Sequence, residues 1–214
     1  MTRFLYLVRH GLADPHDGPL SAAGVRQAEL TGRRLAGMPM SAIQHGPLPR
    51  AAQTAGVISG CLPGVPVSAC DLAGDYFPSD PDPGDLPPRY AAFVERFPAA
   101  DRARGARLAA AALERFLADG SDGIDGRDPG RRGDDSDTHE LVVTHNFLIG
   151  WLVSQALGAP AWRWLGLNQM NCALTAIACQ PGVPPALLSF NDAGHLPPEL
   201  RWTGFPGGIR PATA

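Results

Sequence analysis

Five apolar residues run without a break at Phe4-Leu5-Tyr6-Leu7-Val8 and empty into Arg9-His10-Gly11. A short continuous run closed by glycine predicts a strand buried on both faces. Glu140-Leu141-Val142-Val143-Thr144 predicts a second such strand and empties into His145-Asn146. Between the two, the apolar spacing changes to three and four residues. Ser21 is the N-cap of a helix predicted over 22–36, with Val25, Ala28, Thr31 and Leu35 facing inward and Gly37 as the stop. Residues 41–45 predict a strand. Pro49 to Ser59 predicts a helix whose first turn tolerates proline. Residues 65–69 predict an edge strand, because Pro66 lacks a ladder donor. Pro88 to Phe97, Arg102 to Asp119 and Asn146 to Leu157 read as helices, and 172–179 and 186–190 as the last strands.

Strands alternating with helices imply a three-layer α/β/α sandwich around a mostly parallel central sheet. In such sheets ligands collect beyond the carboxyl ends of the strands. Two segments do not fit simple connections. Residues 71–88 are rich in Asp, Pro and Gly and too long for an ordinary loop. Residues 120–138 are polar and read as a flexible insertion within a single domain spanning 1–214.

Composition narrows the function. The chain has 214 residues, 44% of them hydrophobic, and a formal net charge of −3. That is enough chain to bury a substantial core. No apolar stretch is long enough to span a bilayer, and the first strand leaves no room for a signal peptide. Cys61, Cys70, Cys172 and Cys179 lack metal-ligand spacing, so they read as reduced, mostly buried thiols of a cytoplasmic protein with no metal and no cofactor. All 18 basic side chains are arginine. The lack of lysine excludes Schiff-base and P-loop chemistry. Scattering of the arginines among acids gives no face for nucleic acid.

The candidate chemistry sits at the strand ends. Arg9 and His10 follow the first strand, His145 follows the strand 140–144, and Arg50 lies in the first turn of the helix after the second strand. Arginine offers a fixed fork of donors to phosphate oxygens, and a neutral imidazole is a nucleophile. Gly11 lets the main chain turn and approach a ligand. Helices opening at Asn146 and near Arg50 add main-chain donors for an anion.

Val8-Arg9-His10-Gly11, Arg50-Ala51-Ala52-Gln53-Thr54-Ala55 and Thr144-His145-Asn146 resemble the three signatures of the histidine phosphatase superfamily, the phosphoglycerate-mutase-like enzymes. Leu20-Ser21-Ala22-Ala23-Gly24-Val25-Arg26-Gln27-Ala28 resembles a further segment of that family. The resemblance implies that His10 takes the phosphoryl group as a phosphohistidine. Arg9, Arg50 and His145 would surround the phosphoryl oxygens, with Gly11 and Asn146 among the substrate-binding residues. It implies a phosphoric monoester hydrolase of the histidine acid phosphatase type, without a metal. The general acid would come from the loop after the third strand: Asp75 is the first choice and Asp71 the second, with Asp80, Asp82 and Asp85 further along. Gly46 and Leu12 depart from residues common in the family, serine and an acid respectively.

Three activities stay open from these residues: a phosphatase, a mutase that returns the phosphate to a bound phosphoglycerate, and a module that only binds phosphate. The aspartates of residues 71–88 stand against Arg89 alone, which disfavours a multiply charged bisphosphate and hence the mutase. Substrates range from small phosphorylated metabolites to phosphoproteins, and oligomeric state is open, a homodimer included. His16, His45, His139 and His195 read as surface or loop residues, with His45 near the site mouth. Trp151, Trp162 and Trp164 read as core or apolar surface. Asn168-Gln169-Met170-Asn171 and residues 191–198 are similar to the family branch that contains a mitochondrial protein phosphatase.

Overall fold

The computed structural model describes residues 1–15, 18–117, 136–206 and 208. Among these residues six strands form one sheet: β1 (Arg3–Arg9), β2 (Ala42–His45), β3 (Val67–Ala69), β4 (Thr138–Thr144), β5 (Leu174–Gln180) and β6 (Val183–Asp192), in the order β3-β2-β4-β1-β5-β6. Pairings among β3, β2, β4 and β1 are parallel, while β5 and β6 add an antiparallel hairpin. The central position of β1 and β4 follows from their unbroken apolar runs, since only a central strand is covered on both faces.

Alternation along β1 divides the core in two. Tyr6 and Val8 face α1 (Ala22–Leu35) and α2 (Pro49–Ser59), packing with Ala28, Leu35, Ala55 and Ile58. Leu5 and Leu7 face α4 (Ala99–Leu117) and α5 (Asn146–Ala156), packing with Phe116, Leu148 and Leu152. A third cluster lies at one end, where Phe77, Val94 and Trp164 meet the rings of Phe93, Phe97 and Phe147 around the short helix α3 (Pro88–Val94).

Parallel register does the positioning. Arg9 pairs with Thr144, so the next residues, His10 and His145, come level beyond the sheet, and the His10 amide donates to the Thr144 carbonyl at 2.9 Å. On the other side of β4, His45 pairs with Val143 and the Gly46 amide donates to the Val143 carbonyl at 3.0 Å. The entry to α2 is thereby set against the same strand ends.

Several boundaries differ from the sequence reading. Val25 is 37% exposed; the inward face of α1 runs through Gln27, Ala28, Thr31, Gly32 and Leu35. Buried Gln27 is satisfied by hydrogen bonds, so a polar residue replaced the expected apolar one. Helix α3 stops at Val94, freeing Phe97 to enter the aromatic cluster, and α4 begins at Ala99. Strand β5 starts at Leu174 because Cys172 has a φ of 57°, which strands do not adopt. Cys172 and Cys179 are buried, whereas Cys61 and Cys70 are half-buried. Of the insertion expected over 120–138, residues 120–135 lie outside the described residues, as does His16, and Thr138 already belongs to β4. Among the described residues no helix is long and apolar enough to cross a membrane.

Candidate active site

The turn after β1 fixes the orientation of His10. Its Nδ1 lies 2.8 Å from the Gly11 carbonyl, which can only accept, so Nδ1 carries the hydrogen and Nε2 keeps its lone pair. Two side chains hold the turn: Asn171 Nδ2 donates to the His10 carbonyl at 2.7 Å, and the Gly11 amide donates to Thr54 Oγ1 at 3.0 Å. Thr54 in turn donates to the Arg50 carbonyl at 2.6 Å, tying α2 to the same turn.

Arg50 is buried and uses two edges of its fork. Its Nε donates to His10 Nε2 at 3.2 Å, and its terminal nitrogen meets Asp75 Oδ2 at 2.8 Å. The ring of His145 lies 5.0 Å from that of His10, tilted by 52°, and is 1% exposed. Among the described residues neither His145 nitrogen has a hydrogen-bond partner, although Nδ1 sits 3.5 Å from Asp75 Oδ2. Two unsatisfied buried nitrogens on one ring are costly unless a ligand completes them. Arg9 is anchored from behind, donating to the carbonyls of Gln169 at 2.6 Å and Gly204 at 2.7 Å.

Burial sets the charge states. Desolvation, then the neighbouring His145 and Arg9, pull His10 down to about 3, against the smaller upward pull of the Gly11 carbonyl. Desolvation, then Arg50 and Arg9, bring His145 to about 3 as well. Burial lowers Arg9 to about 10, which leaves it cationic at neutral pH. Near pH 7 the cluster therefore holds two neutral imidazoles beside arginine cations, a setting for a dianionic oxyanion and an uncharged nucleophile.

Arg9, His10, Arg50, His145 and Asp75, drawn from four segments, meet at one place. Asn146 adjoins it, but its amide is engaged: Oδ1 accepts from the Gln169 amide at 2.9 Å, and Nδ2 donates to Asn168 at 3.3 Å. The aspartates after β3 do not act as one acidic lid. Asp80 pairs with Arg102 at 2.6 Å and Asp82 accepts from the Gly84 amide at 2.8 Å, while Asp71 lines the same cleft as Asp75. Arg89 borders a separate cavity of about 290 Å³ with Tyr90, Phe147 and Trp164. Gly46 is required here: a Cβ would overlap the Ala73 carbonyl and come within 3.3 Å of His145 Nε2.

Of the histidines expected on the surface or in loops, His195 lies in a turn, whereas His139 lies on a strand. His139 sits on β4, stacked on Phe4 at 4.7 Å and 3.1 Å from the Tyr6 hydroxyl. His195 is half-buried, its Nε2 3.1 Å from both Thr31 Oγ1 and the Cys172 carbonyl. His45 is half-buried at the end of β2, its Nδ1 turned to the Gly46 carbonyl at 2.8 Å. Trp164 is core, donating to Ser79 at 2.8 Å. Thr54, Gln27 and Asn171 stand within the quoted motif segments, where the sequence gives none of them a role of its own. Their one visible signal was a polar residue inside a motif or an apolar stretch.

Comparison with known proteins gives the same answer as the geometry. The mitochondrial serine/threonine-protein phosphatase PGAM5 of Mus musculus is 31% identical over 207 residues, covering 92% of this chain and 65% of the relative. That of Caenorhabditis elegans is 29% identical over 205 residues, with 92% and 66% covered. The chain thus spans slightly less than two thirds of these relatives. Among solved structures, a phosphoglycerate mutase from Plasmodium falciparum superposes with a TM-score of 0.58 at 20% identity, over 100% of this chain and 99% of that one. The native mycobacterial glucosyl-3-phosphoglycerate phosphatase gives 0.62 at 21% identity, over 90% and 100%. These two likenesses establish a shared fold. The model of the histidine phosphatase superfamily (branch 1) matches residues 5–72 and 88–193, and the chain belongs to that superfamily.

Proposed function

We propose that the chain is a metal-independent phosphatase that hydrolyses phosphomonoesters, phosphoprotein or phosphohistidine through a phosphohistidine on His10. One observation carries this reading: neutral His10 keeps its lone pair on Nε2, where it accepts from Arg50 Nε at 3.2 Å, with the ring of His145 beside it at 5.0 Å. In the first step Nε2 attacks phosphorus, the P–N bond forms, and the P–O bond to the alcohol breaks. Asp75 gives its proton to the departing oxygen. Arg9, Arg50 and His145 donate to the three equatorial oxygens. In the second step Asp75 takes a proton from water as the water attacks phosphorus, and His10 leaves as the free base. Arginines supply the positive field that a metal would otherwise provide.

The finer assignments belong to the same proposal. A single domain over 1–214 is supported by the span of the family match. An acid-phosphatase character is supported by the low basicity of His10, which keeps its lone pair in acid. A phosphoprotein substrate is supported by the name of the PGAM5 relatives. Those names also say mitochondrial, and the four free thiols fit a reducing compartment, cytoplasm or mitochondrial matrix alike. A homodimer is supported by the open edge at β6, where Val183 and Leu188 are exposed.

Phosphoenzyme trapping in EDTA tests the central step. Wild type quenched during turnover of a labelled phosphomonoester should carry acid-labile phosphate, and His10→Ala none. A wild-type protein that turns over and is never labelled would overturn the reading.

A further inference from the structure

Asp75 borders two spaces. One is the phosphoryl site, through its contacts with Arg50 and His145; the other is a half-open cleft of about 700 Å³. A general acid lies within hydrogen-bond reach of the departing oxygen, so the alcohol half of a substrate, on the far side of that oxygen from phosphorus, must face the cleft. Resting on the phosphatase reading, we infer that this cleft is the leaving-group site and that it selects phosphopeptides with basic residues beside the phosphorylated side chain.

The walls are apolar but not sealed. Leu48, Phe97, Leu108 and Phe147 are each half-buried, and all four line this one cleft. Such a grouping of unfinished apolar surfaces accepts methylene stems and leaves a charged tip in water. The rim decides which tip. Asp71 enters from the turn after β3 and Asp101 from the first turn of α4, both exposed, with Arg104 the one cation among the cleft-lining residues. Among the described residues neither Asp71 nor Asp101 has an ion-pair partner, while nearby Asp80 is already matched by Arg102. Two unmatched carboxylates around an apolar trough favour lysine or arginine stems and repel a second anion. A cleft of this volume also exceeds what a small alcohol would fill, and the phosphoryl group itself stays outside it.

The test uses the full chain and three probes: para-nitrophenyl phosphate, a phosphoserine peptide flanked by lysines, and the same peptide flanked by glutamates. At low salt kcat/KM should favour the lysine peptide about fivefold to tenfold, with the ratio collapsing in high salt. Asp71→Asn with Asp101→Asn should bring the peptide ratio near one, and Asp71→Arg with Asp101→Arg should invert it. Using the ratio within each variant removes any common loss of folded protein. Equal wild-type rates on the two peptides, or a preference that survives both double variants, would overturn the inference. So would a protein that hydrolyses the aryl phosphate and neither peptide. Failure on all three probes would instead bring down the phosphatase reading beneath it.

Discussion

The guanidinium of Arg9 donates to the main-chain carbonyl of Gly204, 195 residues further along the chain, at 2.7 Å. Gly204 has a φ of 68°, and a Cβ there would lie 2.5 Å from Asn171 Oδ1 and 2.8 Å from Arg9 Cζ. Both neighbours matter, because Asn171 holds the His10 carbonyl. Gly204→Ala should therefore displace Arg9 and His10 together. We expect kcat on an aryl phosphate to fall on the order of tenfold to a hundredfold while the fold persists, since a shift of about 1 Å near reacting groups has that effect. Unchanged kcat, with folding verified by circular dichroism, would show that the carbonyl contact does not position Arg9.

Arg50 joins His10 to Asp75 through different nitrogens of one fork. Lysine has a single ammonium and cannot reproduce that geometry. Arg50→Ala should lower kcat roughly 100- to 1000-fold, as losing one preorganised donor typically does. Arg50→Lys should recover little of it. Near-complete rescue by lysine in steady-state assays would mean that only the charge matters.

How much of this was legible beforehand depended on the range of the interaction. Arg9, His10, Arg50 and His145 stand beside strand ends, and parallel pairing brings such ends level, so their convergence followed from local pattern and topology. Asp75 required knowing where a loop folds back, and only the family resemblance ranked it first among the aspartates. Gln27 and Asn171 were illegible for another reason. Their partners, Thr203 Oγ1 and the Leu200 carbonyl for Gln27 and the His10 carbonyl for Asn171, lie more than 150 residues away. No periodicity records such a pairing. His139 departs from the expectation of a surface or loop residue because a half-buried imidazole on a strand leaves the same trace in the sequence as an exposed one.

Gly46 is where close packing dictates the residue. A side chain there meets the Ala73 carbonyl and His145. The Ala73 carbonyl also accepts from Thr144 Oγ1 at 2.7 Å, so it cannot retreat without breaking that bond. Gly46→Ser should cost about 1–3 kcal/mol of stability, the usual range for overpacking. Its activity should drop as well, because residues 73–75 carry Asp75. Urea melts and aryl phosphate kinetics on the one variant would check both, and a variant as stable and active as wild type would contradict the packing argument.

The two buried imidazoles make folding acid-sensitive. Folded His10 and His145 titrate at about 3, whereas an unfolded histidine titrates near 6.5. Between those values the unfolded chain binds the extra protons, so unfolding free energy rises with pH and is lost as pH falls below about 6.5. Above about 6.5 both states are neutral at these residues and their effect is flat. Each contributes about 1.4 kcal/mol per pH unit inside the window. Urea melts at pH 7.5, 6 and 5 should show His145→Asn losing less stability on acidification than wild type, by roughly 2 kcal/mol at pH 5. Parallel wild-type and variant curves would mean that His145 is not held neutral in the fold.

The role of Asp75 can be separated from its ion pair by varying the leaving group. Its carboxylate touches both Arg50 and His145, so its removal disturbs the phosphoryl site whatever the chemistry. That disturbance should penalise all substrates alike, because each presents the same phosphoryl group. Loss of a proton donor should not. para-Nitrophenolate leaves readily without a proton, whereas an alkoxide needs one as the P–O bond breaks. Asp75→Asn should thus lower kcat/KM for an alkyl phosphate by about 100- to 10,000-fold, the usual worth of general acid catalysis, and for the aryl ester far less. If both esters lose the same factor, Asp75 acts by orienting Arg50 alone, and the donor must be sought at Asp71, which lines the same cleft.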